Sequence, residues 1–263
     1  MRKYLYIFKM EIMANFQYAF NILTHFIATF ILLYIFMNLW GYIYSDPNEV
    51  INGFSMNQMI WYVIVTEVLW GIIGGRKFCK TIIEDVKGGN IAYNINKPYN
   101  YVLYKLASHL GLGTIRGVIY IILGAIVGYV FLREFPTLGL IKILLVLLTI
   151  FLSTAINTLV VISIGLISFY IEDSNPLYWL YSKTILIFGV LFPIEFFPLF
   201  IQKVLRFSPI FVTGYGPAKL FVDFSYSRFF TVLIAQLIYI LIAYSVCHII
   251  YKKGVRKLNV NGG

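Results

Sequence analysis

Long apolar runs separated by short charged turns fill most of the chain, and one polar stretch interrupts them at length. No charged residue occurs between Glu11 and Asp46, which predicts a first membrane span over about 20–42. The turn at 46–49 (DPNE) follows, then a second span over about 57–75 that ends at Gly74-Gly75. A third span is expected over about 106–132, a short turn at 133–136, a fourth span over about 143–171 and a break at 172–176 (EDSNP). The sixth runs over about 229–251 and stops at Lys252-Lys253.

The fifth span, starting near Lys183, is irregular. Its sequence VLFPIEFFPLF sets Glu195 between Pro193 and Pro198. Each proline removes a backbone donor and clashes with the preceding turn. Non-helical backbone at membrane depth survives only where protein or water satisfies it. Residues 193–228 are therefore read as short re-entrant helices on the outer side, with turns at Ser208-Pro209 and 214–217 (GYGP). Residues 1–19 mix Arg2, Lys3, Lys9 and Glu11 with Tyr4, Leu5, Ile7, Phe8, Ile12 and Phe16, the pattern of an amphipathic helix lying on the inner interface with its lysines toward anionic lipid. The expectation is one all-α membrane domain over 1–263 with six spans. The charges at both ends of the first eleven residues argue against a cleavable signal.

The polar interruption, 76–105, reads RKFCKTIIEDVKGGNIAYNINKPYNYVLYK and carries six basic residues against Glu84 and Asp85. Within it Phe78, Ile82, Ile83 and Val86 recur at helical spacing with Lys80, Glu84, Asp85 and Lys87 between them, and Gly88-Gly89 stops the run. A short amphipathic helix on the membrane face suits insertion into a groove of a soluble partner; it also suits rest on lipid headgroups.

Composition agrees with a membrane protein. The 263 residues are 60% hydrophobic and 12% charged, with mean hydropathy +0.83, whereas soluble domains carry about 25% charged residues. The formal charge of +10 is spread over turns and ends, so no basic domain exists to grip nucleic acid. Fourteen basic residues fall on one side (Arg2, Lys3, Lys9, the six of 76–105, Lys183, Lys252, Lys253, Arg256, Lys257) against six on the other (Arg133, Lys142, Lys203, Arg206, Lys219, Arg228). The positive-inside rule then predicts both termini in the cytoplasm. Cys79 and Cys247 are far apart and read as reduced thiols. His25, His109 and His248 fall in different spans without zinc spacing, and GxxxxGK[ST] and GxSxG are missing, so catalysis and nucleotide binding by this chain are not expected. No inverted repeat is visible.

Two charges lie inside spans. Glu67 and Arg116 are placed about 12 Å and about 15 Å from the same membrane face by the helical rise. Either they mark a polar translocation path, or they pair and lock spans two and three, because an unpaired charge there costs several kcal/mol.

The order of parts, an interfacial helix, six spans, a helix in the first inner loop and broken pieces before the last span, resembles the ABC-2 type transporter permeases. IIEDVKGGNIAYNINKPYNYVLYKLASHLG (82–111), with Ile95-Asn96-Lys97-Pro98 leading into the third span, and the ending GVRKLNVNGG (254–263) are similar to one subfamily, the ABC-2 family transporter proteins. Asn90-Ile91 stands where members often place a glutamate. The resemblance implies an export permease for a drug, antibiotic or peptide-like amphiphile, at the plasma membrane. It implies dimerisation with the same or a paralogous permease, and pairing with a separate ATPase subunit that binds ATP and Mg, this chain binding no cofactor. Phe78, Lys80, Ile82, Ile83, Glu84, Asp85 and Val86 would form the coupling helix. Spans one, two and five would line the path, with Asn38, Thr66, Glu67 and Glu195 as its polar groups and Arg116 as a further intramembrane charge. A gradient-driven transporter or channel, and a membrane-embedded enzyme or scaffold, are the competing readings.

Overall fold

The computed structural model describes residues 2–15, 19–44, 46 and 49–261, with the side chains of 15, 19–26, 28, 29, 95 and 258–261 outside that description. Phe16, the side chains of His25 and Ile95, residues 47 and 48 of the turn at 46–49, the side chains of 258–261 and residues 262–263 therefore lie outside the described residues.

Eleven α-helices are described: α1 (Arg2–Asn15), α2 (Ala19–Ile43), α3 (Met56–Ile73), α4 (Gly75–Lys87), α5 (Asn90–Ile95), α6 (Tyr101–Leu132), α7 (Leu140–Leu166), α8 (Asn175–Ile185), α9 (Leu199–Arg206), α10 (Gly216–Val222) and α11 (Tyr226–Asn261). Between α2 and α3 a small hairpin pairs β1 (Val50–Ile51) with β2 (Phe54–Ser55). It turns on Asn52 and Gly53, both at positive φ, the pair that a two-residue hairpin turn requires. The pattern of apolar runs does not announce it.

Local chemistry fixes the helix ends. Ser55 and Gln58 cap α3 reciprocally: Ser55 Oγ accepts from Gln58 N at 3.3 Å and Gln58 Oε1 from Ser55 N at 3.1 Å. Asn100 Oδ1 accepts from Leu103 N at 3.1 Å to start α6. Gly74, at φ 46°, turns α3 into α4, and Gly88 with Gly89 (φ 75°) ends α4 where the sequence predicts.

Four stretches are long and apolar enough to cross a membrane among the described residues: Met56–Lys87, Tyr101–Leu132, Leu140–Phe169 and Tyr226–Lys257, with Phe30–Ile43 of α2 a shorter one. These four meet the expected second, third, fourth and sixth spans; the expected first is matched only by the shorter apolar helix, and the expected fifth is not a continuous helix. The fifth breaks where the prolines stand: α8 runs into a π-helical turn at Leu186–Leu191, then a 3-10 turn at Ile194–Phe196 between Pro193 and Pro198. A second π-helical turn, Phe211–Tyr215, precedes α10. The long polar interruption is also not a loop: α4, α5 and the first turn of α6 make most of 76–105 helical.

The helices meet through small residues. On α6, Gly113 and Gly117 lie against Ile72 of α3, Gly124 against Val68 and Ile64, and Gly128 against Trp61; Gly71 of α3 in turn receives Tyr120 of α6. A Cβ at Gly124 would stand 2.8 Å from Val68 Cγ2. In lipid, where tails are as apolar as leucine, this close approach rather than hydrophobic burial holds helices together. α1 lies along the first half of α6. Tyr4 Oη accepts from Asn100 N at 2.9 Å, Ser108 Oγ donates to Glu11 Oε1 at 2.7 Å, and Lys3 bonds Pro98 O. Leu5, Tyr6, Met10 and Met13 face outward, the apolar side expected of an interfacial helix.

Candidate functional site

The candidate site has two parts, the amphipathic helix α4 at one end of the spans and a buried polar seam halfway along them. The apolar edge of α4 does not face a partner: Cys79, Ile82, Ile83 and Val86 are buried in the chain's own core with α7, α8 and the ends of α6 and α11. Gly165 of α7 sits so close that a Cβ there would stand 2.7 Å from Ile82 Cγ2. Phe78 stacks on the buried His109 ring of α6 with centroids 3.9 Å apart. Asp85, half-buried, accepts from Lys105 Nζ at 2.7 Å and from Tyr101 Oη at 2.7 Å, both on α6. Of the predicted coupling residues only Lys80 and Glu84 stand free, joined by an exposed pair at 3.8 Å; Arg76, Lys77, Thr81 and Lys87 share their exposure. An amphipathic pattern reveals two faces but not which one the rest of the chain covers.

The polar seam gathers around the two π-helical turns. Thr66 Oγ1 lies 2.9 Å from Val63 O, 3.1 Å from Tyr62 O and 3.1 Å from Val190 O, the last across to the first π turn. Tyr62 Oη donates to Gly189 O at 3.2 Å, and Gly214 of the second π turn lies against Gly189. Tyr215 donates its hydroxyl to Glu195 Oε1, while Glu195 Oε2 is buried without a partner. Below the second turn, Gln236 Nε2 of α11 donates to Thr149 O at 2.9 Å and Val212 O at 3.0 Å, and Ser153 Oγ of α7 donates to Val212 O at 2.8 Å. Wide π turns free carbonyls from the helical ladder, and these side chains occupy them. The structure thus brings Thr66 and Glu195 to one seam. Sequence reasoning missed Tyr62, Tyr215, Ser153 and Gln236, although a glutamine inside the last apolar run is a visible signal of helix–helix hydrogen bonding.

The other predicted polar groups stand apart. Asn38 is exposed on α2 and donates to Tyr34 O of its own helix at 2.7 Å. Glu67 and Arg116 do not pair. Antiparallel register puts the Arg116 guanidinium beside Gly74, at the α3–α4 joint. Glu67 is seven residues away along α3, about 10 Å at the helical rise. Glu67 is 4% exposed, and its Oε1 and Arg116 Nη1 are buried without partners. Equal counting from the loop fails because α6 begins at Tyr101 and reaches further past the loop than α3 does.

Two clefts among the described residues bear on this arrangement. One of about 580 Å³ lies between α8 and the α3–α4 joint, lined by Trp70, Arg76, Tyr178, Trp179 and Lys183 among others. The second, about 440 Å³, is at the opposite end, lined by Asn57, Gln58, Glu134, Lys142 and Asp223 among others.

The helical bundle, broken at two π turns and with α4 packed on α7, is joined by one match: the family model for the ABC-2 family transporter protein, over residues 26–262. The chain belongs to the ABC-2 family transporters. It is thereby a multi-pass membrane protein of a family whose permeases work with an ABC ATPase subunit. No curated protein matches the chain.

Proposed function

We propose that this ABC-2 family member is the membrane-spanning permease of an ATP-driven exporter, moving a hydrophobic or amphiphilic substrate out of the cell. The observation that supports it most is the anchoring of α4. Its buried edge is clamped to α7, Asp85 ties it to α6, and Gly74 links it directly to α3. A push on the free face of α4 is therefore delivered to three spans at once. α3 carries it on to Val190 and Gly189 through Thr66 and Tyr62, and so to the seam closed by Tyr215 and Glu195.

In this reading ATP and Mg bind a separate ATPase, this chain supplies neither catalysis nor a cofactor site, and both termini are cytoplasmic at the plasma membrane. A second permease, identical or paralogous, completes the path against exposed α2; α3, expected from the sequence to line that path, is instead buried from Met59 to Leu69 in this chain's own core and stands behind it. The ATPase groove meets Lys77, Lys80 and Lys87 and so carries excess negative charge.

The test is a pull-down from native membranes with wild type and with Lys77→Glu/Lys80→Glu. These side chains are exposed, so the variant keeps its fold. Capture of an ATPase that weakens about tenfold in the variant, as expected for two rim charges at roughly 0.5–1 kcal/mol each, supports the reading. No ATPase in the wild-type capture sinks it and favours a gradient-driven transporter.

A further inference from the structure

The 580 Å³ cleft between α8 and the α3–α4 joint has the size of a small-molecule site and a two-part lining. Trp70, Tyr178 and Trp179 supply aromatic walls, with Trp179 62% exposed. Arg76 and Lys183 supply two cations. One carboxylate, Asp173, also lines it, with Oδ1 accepting from Asn175 N at 2.9 Å and Asn175 Nδ2 at 2.7 Å, so the two cations leave the lining with a net charge of one positive. Behind the wall the Arg116 guanidinium stands against Gly74 with Nη1 unpartnered, which adds positive charge to the back of the cleft. Gly75 lets the walls meet this closely: a Cβ there would be 2.9 Å from Tyr178 Oη.

The cleft sits at a membrane boundary. The apolar part of α3 ends at Ile73, three residues past Trp70, and Arg76 opens the polar face of α4 three residues later. Tryptophan and tyrosine gather at headgroup depth, and basic side chains there attract anionic headgroups. Beside the cleft Leu177, Leu180 and Ile187 are exposed along α8 and the π turn after it, an apolar track leading from the cations into the bilayer.

We propose that this cleft binds the anionic headgroup of an amphiphile, with its tail lying along α8 in the adjoining leaflet. As a cargo site this rests on the export reading above; as a binding site it stands on the cleft itself. The same chemistry fits a bilayer phospholipid and an exported anionic amphiphile.

Tryptophan fluorescence reports on the site, because Trp40 and Trp61 are buried at the far end of the spans while Trp70 and Trp179 line the cleft. The full chain is placed in phosphatidylcholine vesicles carrying a minority of dibrominated phosphatidylglycerol or, in parallel, dibrominated phosphatidylcholine. The anionic lipid is expected to quench more strongly, and Trp179→Phe to remove most of the difference. Arg76→Gln/Lys183→Gln is expected to weaken the apparent affinity about thirtyfold, each cation near a headgroup counting for about one kcal/mol. Lys252→Gln/Lys253→Gln, at the same membrane face but outside the cleft, leaves it unchanged. Equal quenching by the two lipids, or equal loss in both double variants, overturns the site. Decyl phosphate is then added to the complex with its native ATPase. Stimulated ATP hydrolysis that the Arg76/Lys183 variant loses identifies the occupant as cargo, and quenching without stimulation identifies a resident lipid. Failure to capture any ATPase removes the export reading while the quenching result still decides the site.

Discussion

Asp85 holds the last turn of α4 to the first turn of α6, and with side chains only 12–14% exposed its bond to Lys105 is poorly screened by water. Asp85→Asn leaves Lys105 without its counter-ion, and a loss of about 2 kcal/mol is expected from a hydrogen bond to a charged group, read as a lower melting temperature of the solubilised protein. Adding Lys105→Met removes the stranded charge and is expected to recover part of that loss; no recovery would show that the pair is not coupled. Thr66→Val deletes the contact to Val190 O and keeps the shape. A cost of about 1 kcal/mol or less is expected, the scale of interhelical hydrogen bonds in membranes, with a larger fractional loss of transport than of stability if the seam moves. In the sequence Asp85 and Thr66 were both recognisable as polar residues of interest. Their partners were not, because Lys105 and Val190 come close only when separate helices dock.

At the scale of elements, the glycines at 113/117 and 124/128 and the reciprocal Gly71–Tyr120 contact set the offset between α3 and α6. Gly128→Leu would drive a side chain into the Trp61 ring, and Gly71→Leu into Tyr120. Each is expected to cost about 1–3 kcal/mol or to shift the helices, as overpacking does. Gly139→Ala, where nothing lies within 4 Å of the added carbon, is the neutral control. Equal melting temperatures for Gly128→Leu and Gly139→Ala would refute the glycine packing of α6 on α3. This offset also explains why Glu67 and Arg116 miss each other. The sequence displays the glycine spacing, but a spacing on one helix does not say which neighbour fills it or at what height.

For the whole molecule, the excess of basic residues on one side predicts which end faces the cytoplasm. Cys79 and Cys247 are free and buried, so the native chain is a silent background for thiol labelling. A cysteine at exposed Lys87 is expected to react with a membrane-impermeant maleimide only in inverted vesicles, and one at exposed Arg133 in intact cells. The reverse pattern would invert the expected topology and put α4 on the wrong side for the ATPase docking proposed above. The same experiment with Lys203→Cys reports whether α9 is reached from outside, as the short helices at 193–228 require.

By itself the sequence determined what depends on neighbours along the chain. Apolar run length set the four long apolar helices, helical spacing over 78–87 made α4 amphipathic, Gly88-Gly89 ended it, and Pro193 and Pro198 kept the chain after α8 from forming one helix, because backbone donors and sterics act within a turn or two. Tertiary structure alone decided that the apolar edge of α4 is spent on α7, leaving Lys80 and Glu84 to face outward. It also decided that Arg116 reaches Gly74 rather than Glu67, and that Tyr62, Thr66 and Tyr215 meet the two π turns. Those outcomes turn on the height and rotation at which one helix locks against another, and that is set by the fit of side chains into glycine gaps far away in sequence.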